Sequence, residues 1–421
     1  MTKRMGVRVM GKTIQGRVPL TGSKSESNRA LMLKELSLGA VRVKNCSEAD
    51  DTQLMIQALK ELKQADPQQV TTIDIGPAGT VMRFMTALLS IRPGQYLLTG
   101  SERMKQRPIA LLVDALHDLG AKISYENQPG FPPLRIHGGF DQRNNEVSIA
   151  GDVSSQYLSA LLMIAPALPQ GLHLKIVGQL TSKPYLSMTL ELMESAGIRH
   201  TWVEDVIHIP KQGFSPAILT VEPDWSAASY WYSVLAQADE GELFLPGLKQ
   251  DSLQGDQAIS QMMERFGVYS TFTSEGVKII KGELRPDDTL LDFTPCPDLA
   301  QTVIACAAAL KKDLSVTGLH TLRIKETDRI AALQNELEKF GARLIEQDQV
   351  YHLDTSEVPD DAADLPALTF DTYEDHRMAM AFAPLALSLG PIQINDPEVV
   401  IKSYPDFWVH LRSMGFQIEE K

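Results

Sequence analysis

Cysteine is scarce, with three in 421 residues (Cys46, Cys296 and Cys306) and no CxxC pair among them. An odd, dispersed set excludes a disulfide framework and a zinc-type ligand spacing, and it suits a reducing compartment. Positive charge is also in deficit: 40 Lys and Arg face 53 Asp and Glu, for a formal net charge of -13. That balance argues against broad binding to nucleic acid or to an acidic membrane surface. Long apolar runs are missing too. Stretches such as 160–164 and 378–387 fall well short of the ~20 residues a bilayer span needs. The opening Met-Thr-Lys-Arg-Met-Gly-Val-Arg has no apolar run of the signal-peptide kind. The expectation is a soluble, cytoplasmic chain. What remains is ordinary for an enzyme, 43% hydrophobic and 22% charged residues, with length enough for two or three domains.

Against that background a repeat stands out. The segments Leu116–Gly120, Met193–Gly197, Met263–Gly267, Leu337–Gly341 and Leu411–Gly415 each place apolar residues three apart before a glycine and then a short alternating strand. This is a helix end with a left-handed glycine cap. The glycines are spaced 77, 70, 74 and 74 residues apart, and Ala58–Leu62 is a degenerate sixth copy without the glycine. A second series of helix starts opens at Lys24, Gly79, Ser154, Ser226, Asp298 and Asp375, spaced 55, 75, 72, 72 and 77. Six large duplicated units, split three and three, predict a symmetric α/β architecture.

The helix starts carry the chemistry. Ser23 followed by Glu26 reads as a capping box, so Lys24 falls at the first helical position and Arg29 in the second turn. Cations there oppose the helix dipole by ~0.3–1 kcal/mol each. Either an anion is held between them and the free N–H groups, or they are solvated cations on a well-capped helix. Arg107-Pro108, Ser182-Lys183-Pro184, Lys325–Arg329 and Lys402–Pro405 open further helices with the same unusual cations. Gathered on one face, they suit a substrate or substrate pair with several negative charges.

Other motifs stay ambiguous alone. Ile75–Arg83 is a strand–glycine–helix junction, able to bring a ligand to the backbone at Gly79 or to be a plain turn. Asp152–Gln156 and Thr181–Tyr185 offer polar groups that bind phosphate or hydroxyls, or simply cap helices. Asp298 sits where an acid is stabilising by default, and Lys325 and Arg329, four apart, share a helix face as anion ligands or as a surface ion-pair ladder. His376, before the apolar Met378–Met380, is a cap residue or a catalytic group.

Taken together the motifs resemble the 5-enolpyruvylshikimate-3-phosphate synthase family of enolpyruvyl transferases over essentially the whole chain. The resemblance rests on Gly22–Ser25 with Ser27–Arg29, Ala78–Thr80 with Met82-Arg83, and Arg323–Arg329. Arg103–Pro108, Ser154–Gln156, Ser182–Tyr185, Asp375–Met380 and Lys402 follow in family order. It implies an α/β fold: a two-domain inside-out α/β barrel, each domain three βαβαββ repeats, with the active site in the interdomain cleft and closure excluding water. The domains are expected at 21–223, on the shikimate 3-phosphate side, and at 1–20 with 224–421, on the phosphoenolpyruvate side. The chain would cross near Leu20–Gly22 and Pro223–Ser226.

The implied reaction transfers enolpyruvyl from phosphoenolpyruvate to the 5-hydroxyl of shikimate 3-phosphate, without metal or organic cofactor, in a monomer. Carried over by position, Lys24, Ser25, Arg29, Ser154, Ser155, Gln156, Ser182, Tyr185, Asp298 and Lys325 hold shikimate 3-phosphate. Lys24, Gly79, Arg107, Gln156, Arg329, Arg377 and Lys402 hold phosphoenolpyruvate. Glu326 is the candidate acid, Asp298 the candidate base, and Lys24 or Lys402 the proton relay. Three residues depart from the family pattern: Pro77 and Thr321, each where Asn is usual, and Phe84 in place of Pro. Altered affinity, and an altered response to glyphosate, which targets this site in the family, are expected from them. The alternatives are a UDP-N-acetylglucosamine enolpyruvyl transferase, whose usual loop cysteine has no counterpart in Met104–Arg107, and a non-catalytic ligand-binding paralogue.

Overall fold

The computed structural model describes residues 3–152, 154–285, 290–361, 363 and 365–420, so Val153 of the Asp152–Gln156 motif lies outside the described residues. The chain divides into two compact units, Met1–Thr21 with Glu222–Lys421, and Gly22–Val221. The second boundary thus falls between Val221 and Glu222, just ahead of the expected Pro223–Ser226 stretch.

In the Gly22–Val221 unit, one sheet orders its strands Val70–Asp74, Gly94–Thr99, Leu134–Gly138, Lys122–Tyr125. The first pair is parallel and the others antiparallel. Helix Gly79–Ile91 bridges the parallel step, and helix Ala110–Leu119 leads into the closing hairpin. Strands Glu146–Ala150, Leu172–Val177, Val206–Ile209 and Thr201–Val203 repeat this order and sense around helices Ser155–Ile164 and Lys183–Ser195. Each is a βαβαββ unit.

The third sheet of this unit departs from that plan. It holds only Val41–Lys44 and Ala217–Thr220, paired parallel beside helices Lys24–Leu36 and Asp50–Gln64. Helix Asp50–Gln64 contains the copy that lacks the glycine. Its C-cap, Ala65, is extended (φ -61, ψ 131), and the chain runs on to the first strand of the next sheet. Without a left-handed glycine the chain does not reverse, and no hairpin forms. The expectation of three βαβαββ repeats in each domain is corrected here to two full repeats and one without a hairpin.

The other unit has three four-stranded sheets. The last is composite: Arg4–Val9, from the start of the chain, lies antiparallel between Ile392–Asn395 and Phe416–Glu420. All five predicted glycines, at 120, 197, 267, 341 and 415, take positive φ, as a left-handed cap requires.

Burial puts one helix of each unit inside it. Every residue of Ala300–Ala309 is buried, as is Gly79–Ile91 up to Ser90. A helix apolar all round belongs in a core. The sheets alternate instead; Leu172–Val177 shows one buried face and one facing solvent. Among the described residues, no helix is long and apolar enough to cross a membrane.

Candidate active site

In the unit containing Glu222–Lys421, six predicted site residues come together. Helix Arg329–Glu338 begins at Arg329 because the Asp328 carboxylate accepts from the N–H groups of Ile330 and Ala331. This corrects the expectation that Lys325 and Arg329 share a helix face, since Lys325 and Glu326 lie ahead of the helix. Arg329 is buried, not part of a surface ladder. Its Nε donates to Asp375 Oδ2 at 2.6 Å, Nη1 to Asp298 Oδ1 at 2.9 Å and Nη2 to Glu326 Oε2 at 2.9 Å. Lys402 Nζ sits 3.1 Å from Glu326 Oε1, and Lys325 Nζ 3.6 Å from Asp298 Oδ1.

Arg377 completes the group. Its Nη2 donates to Asp298 Oδ2 at 2.9 Å and to Ser226 Oγ at 3.3 Å, and its backbone N–H is capped by Asp375 Oδ1 at 2.9 Å. Asp375 is therefore the cap of helix His376–Phe382, and His376 is buried at its first position, Nδ1 3.6 Å from Asp375 Oδ1. The four cations Lys325, Arg329, Arg377 and Lys402 meet the three carboxylates Asp298, Glu326 and Asp375. One positive charge is left over for an anion.

The charges tune each other. Burial alone raises the Asp298 carboxyl, but Arg377, Lys325 and Arg329 outweigh it and hold the group well below the usual carboxylate range. Burial lowers Lys325, partly offset by Asp298. For Arg329 burial again pulls downward, while Asp375, Glu326 and Asp298 reverse it and raise the guanidinium.

In the Gly22–Val221 unit, Ser23 caps helix Lys24–Leu36 by accepting from the Glu26 N–H, with Lys24 at the first position as predicted. Lys24 Nζ pairs with the buried Asp51 at 3.1 Å. Arg29 is buried deeper than a solvated cation. Its Nε donates to Thr189 Oγ1 at 2.7 Å, Nη1 to the Ser25 carbonyl at 2.9 Å and Nη2 to Ser159 Oγ at 3.3 Å. The guanidinium lies 5.5 Å from the Phe84 ring centroid and 5.7 Å from that of Tyr185. Burial lowers its pKa to about 10, against Tyr185 and Glu26.

Gly79 is a close approach: a Cβ there would lie 2.5 Å from Arg107 Nη1 and 2.9 Å from Arg83 Nη1. Next to it, Thr80 Oγ1 accepts from Gln156 Nε2 at 3.0 Å. Ser154 caps its helix by accepting from the Gln156 N–H at 3.3 Å, and Ser155 is buried at the first position. Ser182 differs. It holds φ 54 at the start of Lys183–Ser195 and makes no side-chain cap hydrogen bond. A non-glycine residue in that region costs ~1–3 kcal/mol, a strain that clusters at binding sites. Tyr185 follows in the first turn, its ring against Arg29.

Several partners were invisible in the sequence. Asp51, Ser159 and Thr189 are small or acidic residues within ordinary helices, and only the fold aligns them with the cations. Thr80 (which accepts from Gln156), Ser226 and Asp375 stood in the motifs and at the helix starts noted above, without a sign of their partners. Of the departures noted above, Pro77 is exposed in a turn after Gly76 (φ 52). Phe84 is buried within reach of Arg29, and the Thr321 hydroxyl is buried with no hydrogen-bond partner among the described residues.

The family model described as EPSP synthase (3-phosphoshikimate 1-carboxyvinyltransferase) matches residues 9–411. A 3-phosphoshikimate 1-carboxyvinyltransferase of Bacteroides fragilis is 45% identical over 408 residues, covering 96% of this chain and 97% of that protein. One of Vibrio cholerae is 39% identical over 417 residues, covering 94% and 96%. An EPSP synthase structure from Acinetobacter baumannii matches with a TM-score of 0.79 at 20% identity, covering 100% of both chains, a likeness of fold.

Proposed function

This chain belongs to the EPSP synthase (3-phosphoshikimate 1-carboxyvinyltransferase) family, and we propose that its two charged clusters carry the transfer of enolpyruvyl from phosphoenolpyruvate to the 5-hydroxyl of shikimate 3-phosphate. The observation that carries the reading is the partly buried group of Asp298, Lys325, Glu326, Arg329, Arg377 and Lys402, with its surplus positive charge.

Lys24, Ser25, Arg29, Ser154, Ser155, Gln156, Ser182, Tyr185, Asp298 and Lys325 take shikimate 3-phosphate. Lys24, Gly79, Arg107, Gln156, Arg329, Arg377 and Lys402 take phosphoenolpyruvate. Guanidinium forks suit the paired oxygens of carboxylate and phosphate. In the addition step, the 5-hydroxyl oxygen bonds to C2 of phosphoenolpyruvate and loses its proton, while C3 gains a proton and becomes a methyl group. In the elimination step, the bond from C2 to the phosphate oxygen breaks, phosphate leaves, and the methyl group returns a proton.

Glu326 is the acid at C3, and its contact with Lys402 gives a direct path for recharging it. Asp298 is the base at the hydroxyl. Anions drawn to Arg377 and Lys325 weaken the field that keeps Asp298 ionised, which brings its carboxyl back toward a working range. The working form in this reading is a cytoplasmic monomer, acting on these two substrates with no nucleic-acid or membrane partner.

The test is phosphate release from phosphoenolpyruvate with shikimate 3-phosphate, run beside UDP-N-acetylglucosamine as acceptor. Turnover with shikimate 3-phosphate alone is the expected result. Turnover with the nucleotide sugar alone, or silence despite binding, overturns the reading. In the same assay Gly79→Ala is expected to raise the KM for phosphoenolpyruvate by about tenfold, with a smaller change in kcat. The added methyl group must push the Arg107 guanidinium aside. An unchanged KM removes Arg107 and Gly79 from the phosphoenolpyruvate contacts.

A further inference from the structure

We propose that Asp256, on the short helical turn Gly255–Ala258, is a positioning residue for this site: through the Ser226 hydroxyl it fixes the Arg377 guanidinium against Asp298, and its charge sets how strongly the cluster holds an anion. The inference rests on the phosphoenolpyruvate role of Arg377 given above. Asp256 itself carries none of the expected substrate contacts.

The geometry is a three-link chain. Ser226 Oγ donates its one proton to Asp256 Oδ2. With that proton committed, the lone pairs of Ser226 face Arg377 Nη2, which donates to them at 3.3 Å. The same Nη2 donates to Asp298 Oδ2 at 2.9 Å. Arg377 Nη1 reaches the Asp298 carbonyl at 3.3 Å and the Tyr230 hydroxyl at 3.5 Å. Remove the acceptor behind Ser226, and its hydroxyl is free to turn its proton toward the guanidinium. A fixed acceptor for Arg377 is then lost.

Charge is the second half. Asp256 is buried, and its Oδ1 meets no hydrogen-bond donor among the described residues. A carboxylate so placed is poorly compensated when ionised. The charged and titratable groups around it are Asp224 at the start of helix Trp225–Gln237, Asp298 with Cys296 just before it, and Arg377. Burial, then Asp298, push the Asp256 carboxyl up to about 7, against Arg377 and the Ser226 hydrogen bond, while Asp224 adds to the rise. Two carboxylates near one guanidinium are thus driven apart: Asp298 stays ionised, and Asp256 keeps its proton at mildly acidic pH.

The cluster therefore has its full cationic surplus below neutrality and loses it as Asp256 ionises. At an effective dielectric of about 20, one added negative charge roughly 12 Å from a bound anion weakens its binding by about tenfold.

The test compares wild type with Asp256→Asn, in which an amide oxygen still accepts from Ser226 and no charge develops. The KM for phosphoenolpyruvate in wild type is expected to rise by about tenfold between about pH 6 and about pH 8.5, while that of Asp256→Asn stays level. Ionisation of the substrate phosphate is common to both proteins and cancels in the comparison. Asp256→Ala, which loses the acceptor and the charge together, is expected to raise KM several-fold at about pH 6 and to show no further rise toward about pH 8.5. Calorimetric titration with phosphoenolpyruvate alone reads the same limb without turnover. If neither acceptor is turned over but the limb is present in wild type and absent in Asp256→Asn, the reaction is wrong and the role of Asp256 stands. Parallel pH profiles in the two proteins overturn the proposal, whether or not the variants are less stable, because a purely structural residue shifts stability without flattening the limb.

Discussion

Arg329→Met is expected to lower unfolding stability by about 3–5 kcal/mol and to abolish turnover. The guanidinium is the shared partner of Asp375, Asp298 and Glu326. Taking it away strips the wholly buried Asp375 of its guanidinium and leaves Asp298 and Glu326, partly exposed, to Lys325, Arg377 and Lys402. That loss exceeds the worth of the three contacts, because the uncompensated buried charge of Asp375 is what destabilises. Arg329→Lys is the informative companion. A lysine keeps the charge but offers one point instead of a planar fork, so it should recover part of the stability and little of the activity. Denaturant midpoints of the three proteins decide the matter; an unchanged midpoint in Arg329→Met means that Arg329 does not hold the cluster together.

Asp298→Ala is expected to reduce kcat by about 10²–10⁴-fold. Two contributions lie behind the number, proton transfer at the hydroxyl and the orientation of Arg377, Lys325 and Arg329, and single-turnover kinetics separates them. If shikimate 3-phosphate binding is lost while single-turnover chemistry survives, Asp298 is a ligand and not the base. The same residue governs acid stability. Its folded pKa is depressed by the cations, so its contribution is present above the unfolded value of about 3.9 and is lost as pH falls through the folded value, well below that. Melting temperature against pH should therefore fall less steeply on the acid side in Asp298→Asn than in wild type.

Periodicity exposed the fold more fully than the site. The glycine caps at 120, 197, 267, 341 and 415 announce themselves, because a left-handed helix end needs a residue without a side chain and the need recurs in every copy with a hairpin. The copy in Asp50–Gln64 shows the same rule in reverse, since the missing glycine marked the missing hairpin. Helix starts were legible at the short polar caps Ser23, Ser154 and Asp375, but not at Asp328, where the cations before it drew the start too early. At Asp298 the helix proper waits until Ala300, after a tight turn over Pro297–Leu299, because proline and its cap do not distinguish the two kinds of turn. Lys325 lies ahead of its helix and Lys402 closes the turn Pro397–Lys402 instead of opening a helix. Lys24 and Arg329 were visible for an electrostatic reason, standing at helix N-termini where the dipole disfavours them. Their partners were not. An aspartate such as Asp51 in a first helical turn looks like routine dipole stabilisation, and only tertiary packing brings it to Lys24. Asp256 carried no local signal at all.

The composite sheet has a consequence for how the protein is made. Strand Arg4–Val9 is synthesised roughly 400 residues ahead of its neighbour Phe416–Glu420. The Gly22–Val221 unit emerges whole, free to fold while the ribosome is still at work. The strand before it must then wait roughly 10–40 s for the 200 residues that follow, at ordinary elongation rates. An unpaired strand exposed for that long invites pairing with the wrong chain. Arg4 and Arg8 guard against this, because charged side chains make a lone strand a poor template. Protease digestion of stalled nascent chains should find Gly22–Val221 resistant early and Arg4–Val9 cleavable until Phe416–Glu420 is out.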